Sequence, residues 1–112
     1  MNLLNRKADF IAHLTYLSTE EGGRITPALP GYRPHIKFLF SKNMTSGQQI
    51  FLDKKMVYPG ESVTAEIAII DHVTFKHELS VGLGFEFLEG ARLIGRGIIL
   101  EILNEELLKP ST

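Results

Sequence analysis

Ser62-Val-Thr-Ala-Glu-Ile-Ala-Ile-Ile70 decides the fold class: Val63, Ala65, Ile67 and Ile69 fall on one side, and Ser62, Thr64 and Glu66 on the other. Successive side chains of a strand point to opposite faces, so a period of two with β-branched residues on one face marks a half-buried strand. The same period runs outward in both directions. Ala8, Phe10, Ala12, Leu14 and Tyr16 share a face in residues 8–17, as do Ile36, Phe38 and Phe40 in residues 35–40. Val81, Leu83, Phe85 and Phe87 do so in residues 80–87, and residues 49–52 make a short further strand.

Turn residues separate these runs at Glu21-Gly22-Gly23, Pro30-Gly31, Ser46-Gly47, Pro59-Gly60 and Glu89-Gly90. Glycine and proline there supply positive φ or a preset bend where the chain reverses. Residues 92–103 fit two patterns. As a strand they place Ile94, Ile98, Leu100 and Ile102 on one face; from Ile98 to Leu108 the same letters also fit a helix. Branched side chains and the early Gly95 and Gly97 favour strand to about residue 103. Six short strands with no long helix predict an all-β sandwich or barrel, and closure removes edges that invite aggregation. The organisation expected is a lead-in over 1–7, a barrel over 8–103 and, over 104–112, a C-terminal tail or short terminal turn stopped by Pro110.

At 112 residues and 44% hydrophobic content the chain matches one globular domain. It contains no cysteine, which excludes disulfides, thiolate metal sites and thiol nucleophiles. Net charge is −1, but residues 1–56 hold eight bases against four acids and residues 57–112 hold four against nine. A near-neutral total argues against strong non-specific nucleic-acid binding, which rests on phosphate neutralisation. Residues 1–7 show no apolar run of signal length and later apolar stretches are interrupted, so a cytoplasmic protein without membrane contact is expected. The sequon Asn43-Met44-Thr45 reads as a polar loop.

Catalytic signals are weak. No P-loop is present, and Gly82-Leu-Gly84-Phe-Glu-Phe87 lacks the third glycine of a dinucleotide fingerprint, so no cofactor and no nucleotide are expected. His13, His35, His72 and His77 are scattered, and the pair His72 and His77 reads as solvated loop rather than metal site. Glu20-Glu21 and Glu105-Glu106 sit where nothing desolvates them. Ser18 or Ser41 with His13 or His35 lacks any nucleophile-elbow motif. Residues 22–34 stand out instead: two glycines, Arg24, a Pro-rich bend, then Tyr32, Arg33 and Pro34. Either a guanidinium pairs with an acid or stacks on Tyr32 to hold this loop, or the loop presents a docking surface to a partner.

Leu17-Ser18-x-Glu20-Glu21-Gly22-Gly23-Arg24-x-Thr26-Pro27-x3-Gly31-Tyr32-Arg33-Pro34 resembles the start of the C-terminal domain, domain 3, of elongation factor Tu. Met56-Val57-x-Pro59-Gly60 and Phe85-x3-Glu89-Gly90-x-Arg92-x2-Gly95-x-Gly97 follow in the same register. The resemblance implies a six-stranded closed antiparallel β-barrel, here free-standing and unable to hydrolyse GTP by itself. It implies two surfaces on different sides. A protein-docking surface carries Gly22, Gly23, Arg24, Thr26, Pro27, Tyr32, Arg33, Phe85 and Glu86; a tRNA-facing one carries His35, Thr45, Glu89 and Gly90. A protein partner is expected, with tRNA binding as the alternative. Departures bear on both surfaces: Leu39 and Leu88 stand where the family has Arg and His35 where it has Gln, and on the docking side Glu86 stands where it has Ala. Losing two cations weakens attraction to phosphate. The hairpin after Ile70 is longer than the family's, offering residues 71–78 as a new surface.

Overall fold

The computed structural model describes residues 7–111. Six strands follow one another: β1 Phe10–Tyr16, β2 His35–Phe38, β3 Met44–Phe51, β4 Ser62–Ile69, β5 Gly84–Glu89 and β6 Arg92–Ile102. All neighbours are antiparallel, and the order β1-β4-β3-β2-β5-β6 closes on itself. The expected all-β closed barrel is therefore the observed fold, with β1 and β4 facing inward as their alternation predicts. Of the expected lead-in, residues 1–6 lie outside the described residues.

The interior is aromatic. Phe10, Phe38 and Phe85 meet with ring centroids 5.8–6.1 Å apart, and Tyr16 meets Phe87 at 4.9 Å. Two β6 glycines make room for these rings: Phe85 is in register with Gly97 and Phe87 with Gly95. A Cβ at either glycine would come within 2.3 Å of its facing ring. That fit corrects the face assigned to β6, because Gly95, Gly97 and Ile99 point inward while Ile98 and Leu100 point out.

Three other boundaries differ from the sequence reading. β3 begins at Met44, so Thr45 and Gly47, read as loop and turn, lie inside a strand. Its inward residues Thr45, Gly47 and Gln49 are not aliphatic, which hides the period of two; Ile36 fills the space over Gly47. β5 starts at Gly84 rather than Ser80, because Leu83 N–H donates to Ser80 in a turn with Gly82 at φ 89°, leaving Val81 exposed. β2 ends at Phe38, and Phe40 is half-exposed with its ring stacked on Phe38.

Of the two readings of residues 104–112, a tail or a short terminal turn, the turn forms, and it closes one end of the barrel. Asn104 caps a single 3₁₀ turn, Glu105–Leu107, by accepting from the Glu106 N–H, and Leu107 is fully buried. Leu79 bridges to Leu108, and Phe75 packs edge-on against Phe38 at 5.0 Å. His72 and His77 are not free in this loop. His72 Nε2 lies 3.0 Å from buried Asp9, whose carboxylate also accepts from Ile69 N–H and Asn104 Nδ2, and His77 Nδ1 lies 3.1 Å from the Leu108 carbonyl.

Gly97→Ala is expected to cost about 1–3 kcal/mol or more by overpacking, and Leu107→Ala about 2–5 kcal/mol by leaving a cavity. Urea denaturation measures both. Unchanged midpoints would contradict the ring-over-glycine packing and the buried closure respectively.

Candidate functional site

The end of the barrel opposite that closure carries residues 17–34, the turn before β4 and the β5–β6 hairpin. Ser18 and Glu21 start the loop by bonding reciprocally: Ser18 N–H donates to Glu21 Oε1 at 2.9 Å, and Glu21 N–H to Ser18 Oγ at 3.1 Å. Donation from the Ser18 backbone N–H, and then from its hydroxyl, holds the Glu21 carboxyl below its usual range. Gly22 adopts φ 100°, which an L side chain rarely takes, and a Cβ on Gly23 would lie 2.4 Å from the Leu17 carbonyl oxygen. Arg92 then clamps the turn, its guanidinium donating to the carbonyls of Gly22, at 2.8 Å, and Gly23. Sequence reading gave Arg92 no role; its place two residues after Gly90, across a hairpin from an acid, was the available signal.

Arg24 turns back over its own chain. Its Nε donates to the Thr26 carbonyl and its Nη2 to Thr26 Oγ1, both at 3.2 Å, while Nη1 pairs with Glu89. The guanidinium carbon sits 4.7 Å from the centre of the Tyr32 ring, and Tyr32 Oη donates to the same Glu89 oxygen. Both holding interactions considered for this loop, pairing with an acid and stacking on the ring, are made by Arg24. Beneath them Tyr16 Oη donates to Gln49 Oε1 inside the barrel, and among the described residues Gln49 Nε2 has no partner.

Burial opposes ionisation of Glu89, but the Tyr32 and Arg24 bonds and the Arg24 charge outweigh it and hold the carboxyl below its usual range. Tyr32 is pushed up, first by burial and then by donating to Glu89. Burial alone would lower Arg24; its interactions with Tyr32 and Glu89 raise it instead. Tyr16 is also raised, chiefly by burial. These polar groups satisfy one another rather than converging on an open point. Among the described residues no group of three or more His, Asp or Glu is placed to hold a metal ion.

The remainder of the loop is zipped to the barrel. Ala28 pairs with Val57 in both directions, Gly31 N–H donates to Gln49 at 2.7 Å, and Gln49 N–H donates to Tyr32 at 2.8 Å. On this fixed backbone Ile25 is 77% exposed and Leu29 57%. Sequence reading passed over both, because isolated aliphatics in a loop carry no period.

The two expected surfaces do not lie on different sides. Glu89, placed on the tRNA-facing surface, is bonded to Arg24 and Tyr32 of the docking loop. Gly22, Gly23, Thr26, Pro27 and Gly90 share that barrel end, and His35 and Arg33 are exposed beside it. Two residues fall away. Phe85 is in the core over Gly97, so it offers no surface. Thr45 is buried, and its Oγ1 accepts from Asp71 N–H at 3.0 Å. Glu86 lies on the outer wall in register between Lys37 and Arg96. A cleft of about 570 Å³ lined by Lys7, Asp9, His72 and Asn104 is at the opposite end, where hydrogen bonds already engage the Asp9 carboxylate.

A carboxylate with a lowered folded-state pKa contributes stability above its unfolded pKa and loses it as pH falls through the folded value. Glu89→Gln is therefore expected to cost about 0.5–1 kcal/mol near neutral pH, the range of a partly exposed pair. The difference from the native protein should shrink as pH drops through the range in which Glu89 protonates. Urea titrations along that series test it, and a gap independent of pH would contradict the ion pair.

Residues 4–103 match the family model described as Elongation factor Tu C-terminal domain. The matched stretch contains every strand of the barrel and the whole of the loop pinned by Arg24, Glu89 and Arg92, and it ends before the 3₁₀ turn. Among the described residues no helix is long and apolar enough to cross a membrane. With nine-tenths of its length covered by that match, the chain belongs to the elongation factor Tu C-terminal domain family.

Proposed function

We propose that this domain is a non-enzymatic, translation-factor-like binding module that docks a protein partner through the crest of loop 22–34. One observation carries the reading: Ile25 and Leu29 are held out to solvent on a backbone pinned by Arg92 and by the Arg24–Glu89–Tyr32 cluster. Exposed aliphatics usually cost a soluble protein nothing singly, but on a rigid loop they form a contact whose ordering cost is already met. The Ala28–Val57 pair sets the exposed Tyr58 beside Pro27, adding an aromatic of the kind that anchors interfaces. Gly22, Gly23, Arg24, Tyr32 and Glu89 then act by shaping the loop, while Ile25, Thr26, Leu29 and Arg33 touch the partner. The 112 residues contain no P-loop, so this sequence supplies the docking surface and not a nucleotide cycle.

A tRNA- or RNA-binding accessory is the second reading. Arg33, His35 and Lys37 follow one another at alternate positions into β2, on the strand's outer face. That row could meet phosphates. The engagement of Glu89 and the burial of Thr45 leave less of the tRNA-facing set available than the family resemblance implies.

Co-purification of tagged protein from its native cell tests the first reading. Ile25→Ser with Leu29→Ser should strip the captured partner while leaving thermal unfolding unchanged; unchanged capture would overturn it. For the second, binding to a tRNA T-arm hairpin should weaken steeply, by roughly tenfold or more for three phosphate contacts, between about 50 and 200 mM salt. Binding undetectable at the low-salt end would remove the RNA reading.

A further inference from the structure

Residues 71–79 stand at the closed end of the barrel as a wall that the barrel itself supports. Asp71 N–H donates to Thr45 Oγ1 at 3.0 Å, His72 Nε2 lies 3.0 Å from the Asp9 carboxylate, and Phe75 packs on Phe38. None of these contacts involves residues 105–109. The edge of the wall at 77–79, by contrast, spends its hydrogen bonds on that segment alone. His77 N–H donates to the Glu106 carbonyl at 2.9 Å and its ring Nδ1 to the Leu108 carbonyl at 3.1 Å. Leu79 N–H donates to the Leu107 carbonyl at 2.8 Å, and the Leu79 carbonyl accepts from Lys109 N–H at 2.7 Å, which makes a parallel bridge between Leu79 and Leu108. His77 holds φ 59°, a left-handed conformation costly for a residue with a Cβ, and in it aims both donors at the segment.

The segment answers almost wholly with its backbone. Leu107 is its one buried residue, in the cluster that includes Phe75 and Leu79, while Glu105, Glu106, Leu108 and Lys109 are exposed. It follows the last strand and lies outside the matched stretch 4–103. The edge therefore recognises a turn that delivers one leucine and an extended residue after it, the mode in which a peptide adds to a free strand edge. Ordering the segment is opposed by its chain entropy, and a single buried side chain with a few bonds holds it down.

We propose that the edge at 77–79 and the Leu107 pocket form a recognition groove for a short leucine-bearing segment of a partner protein, which residues 104–109 fill in cis as a detachable strap. The strap shows the chemistry of the partner: backbone bonds accept many sequences, the outward Glu105 and Glu106 positions are free to vary, and the leucine is required. Tethering sets the strength. A strap on a short connection is presented at about 1 mM, so one that stays seated there binds in trans with a dissociation constant of about 1 mM or tighter.

A synthetic peptide of residues 104–112 is the probe, and the full chain carrying Leu107→Ser, whose own strap no longer holds, is the receptor. The peptide should bind it at about 1 mM or tighter and raise its unfolding midpoint, or restore the fold if the variant has lost it. A peptide carrying Leu107→Ser should bind about tenfold or more weakly, for want of the buried side chain. The native chain should also bind the peptide about tenfold or more weakly, because its strap competes. Adding Ile25→Ser and Leu29→Ser to the receptor should change nothing, which separates this groove from loop 22–34. In the native chain the His77, Leu79 and Lys109 amides should exchange together, about tenfold or more faster than those of the β1–β4 ladder. Exchange of the three only at the ladder's rate, no peptide binding at about 1 mM, or binding indifferent to the leucine would each overturn the proposal. So would a native dimer in sedimentation velocity that Leu107→Ser abolishes, since the strap of a second copy would then be the occupant.

Discussion

The architecture depends on two phenylalanine rings of β5 occupying the space left by two glycines of β6. Phe85 and Phe87 cross the narrow interior and need a facing backbone with no side chain, which Gly97 and Gly95 provide in register. Protein interiors tolerate neither overlap nor void, so this pairing fixes which face of β6 points inward. With that face settled, Ile98 and Leu100 are turned to solvent, and the barrel closes from β6 onto β1. An alternative register would place the rings against Ile98 or Arg96.

Closure also explains why the loop of residues 17–34 is ordered. β1 ends and the β5–β6 hairpin turns at one end of the cylinder, so Glu89 and Arg92 arrive beside the loop from a different part of the chain. Arg92 ties down two carbonyls, and Glu89 gathers Arg24 and Tyr32. The division of labour is physical: charged groups spend their hydrogen bonds on one another, and apolar groups on the same segment are left outside. Each exposed pair of this kind contributes little by itself. Their number, together with the backbone bonds from Ala28, Gly31 and Gln49, makes the conformation single-valued.

Strands whose inward residues were aliphatic or aromatic were legible from sequence, and β1 and β4 are the clearest cases. β3 was legible only at its end, as the short strand over 49–52, because Thr45, Gly47 and Gln49 occupy its interior positions and a hydrophobic period cannot register them. β6 was recognised as a strand but with the wrong face, since glycines register as gaps when their function is to admit a ring from elsewhere. Leu107 lies beyond the strand period of β6, and its place is fixed from a distant loop, where the Leu79 N–H donates to its carbonyl. The residues of the candidate site were mostly named in advance through family resemblance. Their arrangement was not, because the Arg24–Glu89 contact joins positions separated by more than half the chain. Arg92, Ile25 and Leu29 gain meaning only once that contact is seen.

Amide hydrogen exchange, read residue by residue, tests most directly whether loop 22–34 is a rigid presenting element. Gly23, Ala28, Gly31 and Tyr32 each donate to a backbone carbonyl. Their amides should exchange as slowly as those at the ends of β3, while Ile25 at the crest exchanges fast. If all of them exchanged at unprotected rates, the loop would be mobile and the account of a preformed docking crest would be wrong.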